Sequence, residues 1–361
     1  MPTLMAMGSR ASADRARAGY HRRWMTSPMD RLDAVRRRPG MFFGDVGAGD
    51  GALNLVLEVL GNALDLYLGG RCSSIELTLD GDGSFTVTDD GPGLTRDGQG
   101  SVPALAELFT RWSDRPTVDD HRPHVHLGLT GVGLPAVCAL AEELQVISVH
   151  RGVEVCATFA AGRLIGAVEQ RASDGASGTT IRVRPDRSVV TGRIPRVALT
   201  ARLEELAHLC AGLRIGWRCA PDDGAGVGLV GLVRQVDGVM VVAHHRGRFG
   251  TADRPIDVEV ALGWRAGPAA PVIHAFVNTH RSRDLASQHV RGLFDGVRAA
   301  RKLGRVDASR DLVAAVSVVL ADVIFGNPSH DRLDSPAARP AVAAATRRAL
   351  AAAPGCVPPA R

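Results

Sequence analysis

Lysine is almost missing from this chain of 361 residues: of 43 basic residues, Lys302 is the single lysine and the others are arginines. Codon usage is one source of such a bias, but any site that needs a compact ammonium charge has one residue to draw on. A cysteine framework is also missing. The six cysteines at 72, 138, 156, 210, 219 and 356 include no CxxC pair and no regular spacing. Cys138 and Cys156 stand in apolar stretches, so buried reduced thiols are expected. Met1–Arg10 has no continuous apolar core of a signal segment. The longest apolar run, Leu312–Ala321, falls short of the ~20 residues of a spanning helix. The expectation is a cytoplasmic protein without a membrane partner.

What is present describes a soluble globular chain: 45% hydrophobic residues, 22% charged residues and a mean hydropathy of +0.03. The length suits two domains of ~100–200 residues each. A net charge of +5 and a pI near 9.2 permit an anionic partner such as nucleotide or DNA without demanding one. Arginine is concentrated early, at Arg10, Arg15, Arg17, Arg22, Arg23, Arg31 and Arg36–Arg38. A solvated basic tail accounts for that equally well.

Residues 1–28 read as an irregular basic arm. After the turn at Arg38-Pro39-Gly40, Leu53, Val56, Leu57, Leu60 and Leu64 recur at helical spacing, predicting a helix over 51–68 that stops at Gly69-Gly70. Ser74–Asp80 and Ser84–Asp89 alternate around a Gly/Asp turn, predicting a hairpin. A short helix is expected near 102–112, a longer one from Gly128 to about Leu144, and strands at 145–149, 153–159 and 179–184. A linker begins at Arg184-Pro185-Asp186. Beyond 195 the pattern predicts a helix at 199–211 and strands at 227–234, 238–245, 256–264 and 271–278. A helix at 287–303, a strand at 312–320 and an Ala-rich helix within 336–353 follow, then a Pro-rich tail. The fold class is α+β in two domains, 29–190 and 195–335, with 336–361 as helix and tail.

Three motifs carry chemistry. Glu58, Asn62 and Asp65 fall at i, i+4 and i+7 and share one face of a mostly apolar helix. A carboxylate beside a carboxamide suits general-base activation of water next to a metal held by the amide oxygen, while solvated or capping groups fit the spacing too. Asp89-Asp90-Gly91-Pro92-Gly93 leaves a strand directly, so an acid can accept from an exocyclic amine where glycines admit a flat ligand. The same string is also a common turn. Gly128-Leu129-Thr130-Gly131-Val132-Gly133 precedes a helix and offers backbone N–H groups to an anion. It follows polar loop rather than buried strand, unlike a dinucleotide fingerprint, and no Gly-Lys-Ser/Thr follows, unlike a P-loop. Asp119, Asp120, His121, His124 and His126 are metal-ligand types without fixed spacing, and a solvated loop explains them.

In their order and spacing, these motifs together with Gly178-Thr179 resemble the GHKL ATPase fold. Leu32–Asp45 is similar to the opening segment of the gyrase B and topoisomerase IV B proteins, and Gly128–Leu140 to their glycine-loop helix. Leu203–Gly212, Val258–Trp264, Phe276–Asn278 and Val313–Val318 resemble their transducer domain, so the likeness covers about residues 29–345. The resemblance implies ATP and Mg²⁺ as cofactors, with Glu58 as general base and Asn62 as magnesium ligand. Asp89 would read the adenine amine with Thr179 and a water, and Gly91 and Gly93 would admit the base. Gly128, Leu129, Gly131, Val132 and Gly133 would wrap the phosphates, and Asp65 would steady the pocket.

The departures are specific. Gly61 and Leu66 stand where the family has acids, Pro92 replaces the arginine of Asp-Gly-Arg-Gly, Thr130 replaces the loop histidine, and Leu127 its first glycine. Leu66 and Pro92 together remove a pair of opposite charges. The family's Gln-Thr-Lys loop, whose lysine reaches the γ-phosphate, aligns with Pro328-Ser329-His330. His330 takes the lysine's place, with Arg111, Arg115 and Arg332 as alternatives. ATP binding with slowed hydrolysis is expected.

The resemblance implies an ATP-operated dimerisation clamp, its arm crossing between copies near Tyr20, that acts with DNA and a gyrase A-like or gyrase B-like subunit. The length accommodates the ATPase and transducer parts and not a DNA-cleavage domain, so cleavage is not expected of this chain alone. An accessory or decoy role is the alternative, in which the chain binds ATP or a gyrase-directed inhibitor, or modulates gyrase, with little turnover.

Overall fold

A computed structural model describes residues 28–94, 102–111, 133–217, 228–239, 241–266, 269–302, 309–327 and 330–356. Two sheets organise it. The first contains seven strands in the order β5-β4-β3-β6-β2-β1-β7. These are β1 (Ser74–Leu79), β2 (Phe85–Asp89), β3 (Ala141–His150), β4 (Val153–Ala160), β5 (Arg163–Ala172), β6 (Gly178–Pro185) and β7 (Arg214–Trp217). Every pairing is antiparallel except β1 with β7.

Helices α1 (Pro28–Arg37), α2 (Gly40–Phe43), α3 (Asp50–Leu68), α4 (Val102–Thr110) and α5 (Gly133–Ala139) belong to this unit. Their apolar faces and the sheet share one core, in which Leu55, Val56, Leu60 and Leu64 of α3 meet Ile75, Leu77, Phe85 and Val87. Among the described helices, α3 alone is long and apolar enough to span a bilayer, but here it is the core helix of this layer. Gly69 and Gly70 end it, their N–H groups bonding back to Asp65 O and Tyr67 O. Arg36 ties α1 to the end of β6, meeting Asp186 Oδ2 at 2.6 Å and Ala139 O at 2.7 Å.

Strand alternation decides what faces the helices. In β2, Phe85, Val87 and Asp89 are buried while Thr86 and Thr88 are less so. In β6, Thr179 shares the buried set with Ile181 and Val183. Ser148 in β3 shares it with Leu144 and Val146. The hydrophobic period thus carries a carboxylate and two hydroxyls onto the core face at one end of three neighbouring strands.

The residues just after 195 pack with the first sheet. Helix α6 (Arg196–Leu209) and β7 complete the first unit: Leu199, Leu203, Leu206, Leu213 and Trp217 lie in its core, and β7 pairs with β1 from Ser74↔Arg214 to Leu77↔Trp217. The expected 227–234 strand is helix α7 (Leu229–Arg234), because Leu229, Leu232 and Val233 bury one helical face. Strand β5 has no counterpart in the sequence pattern. It is an exposed edge strand and has no buried face to impose a period. The helix expected to run to Leu144 stops at Ala139, and its last residues enter β3.

The second sheet runs β11-β10-β12-β9-β8, formed by β8 (Ala243–Gly250), β9 (Pro255–Trp264), β10 (Val272–Val277), β11 (His280–Ser282) and β12 (Leu312–Leu320). The apolar run of β12 is the central strand, buried on both faces, and pairs parallel with β10 through the crossover helix α8 (Gln288–Arg301). Helix α8 and α9 (Ala338–Ala352) cover one face and α7 the other. The two units meet at the β10–β11 turn, where Arg202 of α6 pairs with Glu205 and donates to Thr279 O at 2.6 Å. Arg281 reaches the same Glu205 at 3.5 Å. Cys138 is buried and Cys156 half-buried, and both are free thiols.

Candidate functional site

The α3 face places Glu58, Asn62 and Asp65 on successive turns at the edge of the core, all three half-buried. Glu58 Oε2 accepts the backbone N–H of Gly133, the first residue of α5, at 3.1 Å. Burial pushes its carboxyl up to about 7, against the opposing pull of that N–H. A carboxyl that titrates near neutrality is suited to take a proton from water. Asn62, one turn on, is half-buried on the same face, and its amide oxygen is of the type that can ligate a hard cation.

Asp89 ends β2 at 5% exposure, and its Oδ1 accepts Gly91 N–H at 2.9 Å. Burial pushes its carboxyl up to about 6, assisted by the neighbouring Asp90 charge and opposed by the N–H groups of Gly91 and Thr179. Asp89 stands opposite Thr179 across β2 and β6, and Thr179 stands opposite Ser148 across β6 and β3. Thr179 Oγ1 is buried with no partner among the described residues. A buried carboxylate and an adjacent orphaned hydroxyl fit a flat heterocycle that brings a donor to each.

The following loop is held from both sides. Asp90 accepts Ser73 N–H at 2.7 Å, Ser74 N–H at 2.9 Å and Ser73 Oγ–H at 2.5 Å. Burial raises its carboxyl, but these bonds outweigh burial and hold it down at about 2. Gly93 has φ +83°, and a Cβ there would lie 2.4 Å from Val149 O. At Gly91 a Cβ would come within 2.7 Å of both Asp89 Oδ1 and Leu66 Cδ1. Leu66 therefore packs against the loop. Ser148 Oγ accepts Leu94 N–H at 2.7 Å and His150 Nδ1 lies 2.6 Å from Pro92 O. Sequence motifs alone miss Ser148 and His150, although the alternation Leu144, Val146, Ser148, His150 places both on the buried side of β3.

Gly128, Leu129, Gly131 and Val132 lie outside the described residues, as do Thr130, Arg115, Tyr20 and the Asp119–His126 group. His330 lies in the second unit rather than beside Glu58 in any described contact. Its ring stacks on Phe325 at 4.3 Å and stands edge-on to His280 at 6.3 Å. Burial pushes its pKa down, with Asp331 opposing. Arg332 is engaged by Asp334 and Gly326 O, and Arg111 faces Glu107 at 3.6 Å. A cavity of about 430 Å³ lies apart from Glu58, between Tyr67 of α3, Cys210 after α6, and Arg246, Glu259 and Ser317 of the second sheet.

A helix carrying a half-buried carboxylate above a sheet that ends in a buried aspartate, with the Gly91–Gly93 loop after it, suits a nucleotide-binding class of domain. Residues 47–189 match the family described as histidine kinase-, DNA gyrase B-, and HSP90-like ATPase, so the chain carries a GHKL ATPase domain. Over most of its length the chain is similar to DNA gyrase B. It is 28% identical to that of Caulobacter vibrioides over 354 residues, covering 86% of this chain and 43% of the relative. It is 30% identical to that of Archaeoglobus fulgidus over 337 residues, covering 84% of this chain and 51% of the relative. The chain thus spans about half the length, or less, of these relatives. The fold is that of the 43K ATPase domain of Thermus thermophilus gyrase B, solved in complex with an aminocoumarin. The TM-score is 0.70 at 24% identity, covering 90% of this chain and 91% of that one.

Proposed function

We propose that this chain is the ATP-binding and ATP-hydrolysing clamp component of a gyrase B-like type II DNA topoisomerase. The observation that carries the reading is the pairing of Glu58, raised to about 7, with Asp89, buried at a strand end beside the orphaned Thr179 hydroxyl. Asp89 accepts the adenine amine, Thr179 completes the base contact, and Gly91 and Gly93 let the ring approach the backbone. The N–H groups of Gly128, Leu129, Gly131, Val132 and Gly133 wrap the phosphates. Glu58 takes the proton of the attacking water. Asn62 would hold Mg²⁺, which when bound supplies neutralisation of phosphate charge. Asp65 steadies the pocket wall.

Nucleotide binding brings two copies together, with DNA and a gyrase A-like or gyrase B-like subunit as further partners. Hydrolysis is slow in this reading, because His330 at the lysine position is a largely neutral ring held in an aromatic stack. The same observation, with the apolar Leu66 against the Gly91 loop, favours a second reading: an accessory protein that binds ATP or a gyrase-directed inhibitor and modulates gyrase with little turnover. ATP titration and turnover of the purified chain beside Glu58→Ala, with sedimentation in the presence of a non-hydrolysable ATP analogue, separate them. Turnover abolished by the substitution, and dimers formed with the analogue, support the clamp. Equal hydrolysis by both proteins overturns the Glu58 assignment. Tight binding without turnover or self-association supports the accessory reading.

A further inference from the structure

We infer that His150 is a positioning residue of the nucleotide site, acting through the Gly91–Leu94 loop that receives the base; this rests on the ATP-binding reading above. The loop leaves β2 at Asp89, and the register of β3 brings His150 beneath it. Three contacts join the loop to the end of β3. Leu94 N–H bonds to Ser148 Oγ at 2.7 Å, and Gly93 packs so closely that a Cβ would meet Val149 O at 2.4 Å. The third is the 2.6 Å approach of His150 Nδ1 to Pro92 O. A carbonyl only accepts, so Nδ1 carries the proton and donates it. The other ring nitrogen, Nε2, is buried and has no partner among the described residues. The ring therefore acts on the loop through Nδ1 alone.

This bond matters because the loop has few other restraints on that side. Proline at 92 has no N–H to give, so its carbonyl is its only main-chain hydrogen-bonding group. Asp90 anchors the start of the loop to Ser73 and Ser74, and Ser148 anchors its end at Leu94. His150 holds the middle, between the two glycines whose missing side chains make room for the base. Loss of the bond frees Pro92 and lets Gly91 and Gly93 drift relative to Asp89. Glu58, on α3, is untouched by that movement, so the effect falls on nucleotide affinity rather than on proton transfer.

Asparagine places an amide N–H about where Nδ1 stands, whereas leucine fills the space and donates nothing. The test is calorimetric titration of wild type, His150→Asn and His150→Leu with ADP and with a non-hydrolysable ATP analogue, alongside Tm and steady-state turnover. His150→Leu should weaken binding about tenfold, the scale of one lost hydrogen bond, and raise KM while leaving kcat near wild type. His150→Asn should recover most of that loss. Equal affinities for wild type and His150→Leu overturn the assignment while leaving the ATP-binding reading intact. So does a parallel fall of Tm, kcat and affinity in His150→Leu that His150→Asn does not repair. A wild-type chain that binds neither nucleotide overturns both.

Discussion

Glu58 of α3 and Gly133 of α5 meet through one hydrogen bond, the glycine N–H donating to the carboxylate at 3.1 Å. The N–H groups at the start of α5 are the ones expected to face phosphate, and this one is engaged by the proposed general base. The base and the phosphate cradle therefore share a donor, and the protonation of Glu58 bears on both.

The first consequence is a pH profile. A base with a pKa of about 7 is protonated and idle at lower pH, so hydrolysis should rise through neutrality and level above it. Single-turnover hydrolysis measured from pH 5 to 9 checks this. Glu58→Gln should lower the plateau ~100-fold or more and remove the rise. A rate flat across this range in the wild type would sink the base assignment.

Stability should move in the opposite sense. The carboxyl has a folded pKa of about 7 against an ordinary 4.5, so the folded state favours its protonated form. The burial penalty is absent below the ordinary value, grows as pH rises from there, and is complete above 7. Glu58→Gln removes a half-buried group that is ionised at pH 8, a gain of roughly 3 kcal/mol, and nothing comparable at pH 4. Urea unfolding of both proteins at the two pH values measures the difference. The same gain at both would mean that ionisation is not its source.

Asp89 gives a distinct signature because it binds rather than reacts. Its carboxyl, raised to about 6, is the stronger acceptor when ionised. Nucleotide affinity should fall as pH drops below 6, and Asp89→Asn should weaken binding ~10–100-fold, the range for a hydrogen bond to a charged group. Isothermal titration at pH 5.5 and 8 reads both effects. An Asp89→Asn protein that binds ATP as wild type does would remove the base-recognition role.

Gly93 tests the loop by sterics alone. Alanine there would sit at φ +83° with its Cβ 2.4 Å from Val149 O. The backbone conformation costs about 1–3 kcal/mol before the clash is counted. The loop has to move, so Gly93→Ala should lose measurable ATP affinity and lower Tm. Unchanged affinity and Tm would show that the loop adopts another path.

Which of these features the sequence reveals follows from the distance over which each is encoded. The α3 trio is local: a 3.6-residue period and three polar types name the face, with Leu55, Val56 and Leu60 marking the buried side. Asp89 is nearly as local, because the alternation Phe85, Val87, Asp89 carries it inward. Ser148 and His150 escape notice although β3 alternates, because their role depends on a loop more than fifty residues earlier in the chain. Strand β7 escapes for the same reason, since its four residues form a strand by lying parallel to β1. The Val- and Leu-rich α7 reads as a strand because a short apolar run has no decisive period and its helical face is set by packing on Ala261 and Phe276.

His330 is the position where the near absence of lysine has its sharpest consequence. In the proposed reading it takes the place of a lysine that would bring a fixed positive charge to the γ-phosphate, yet burial lowers its pKa and Phe325 stacks on its ring at 4.3 Å. A neutral ring offers the developing phosphate charge a hydrogen bond at most, whereas a lysine offers a full charge at any pH below its own pKa. His330→Lys should therefore raise kcat about tenfold or more, with a smaller change in nucleotide affinity, because the charge counts most in the transition state. Its cost is structural. The residue has φ +57° and loses its aromatic partner, so Tm should fall by a few degrees, on the order of 1 kcal/mol. His330→Gln is the control, similar in polarity and without charge, and should leave kcat near wild type. A gain in kcat confined to the lysine variant ties slow hydrolysis to the missing charge. No gain would place the limit elsewhere, in the rim formed by Leu66 and Pro92 or in release of product.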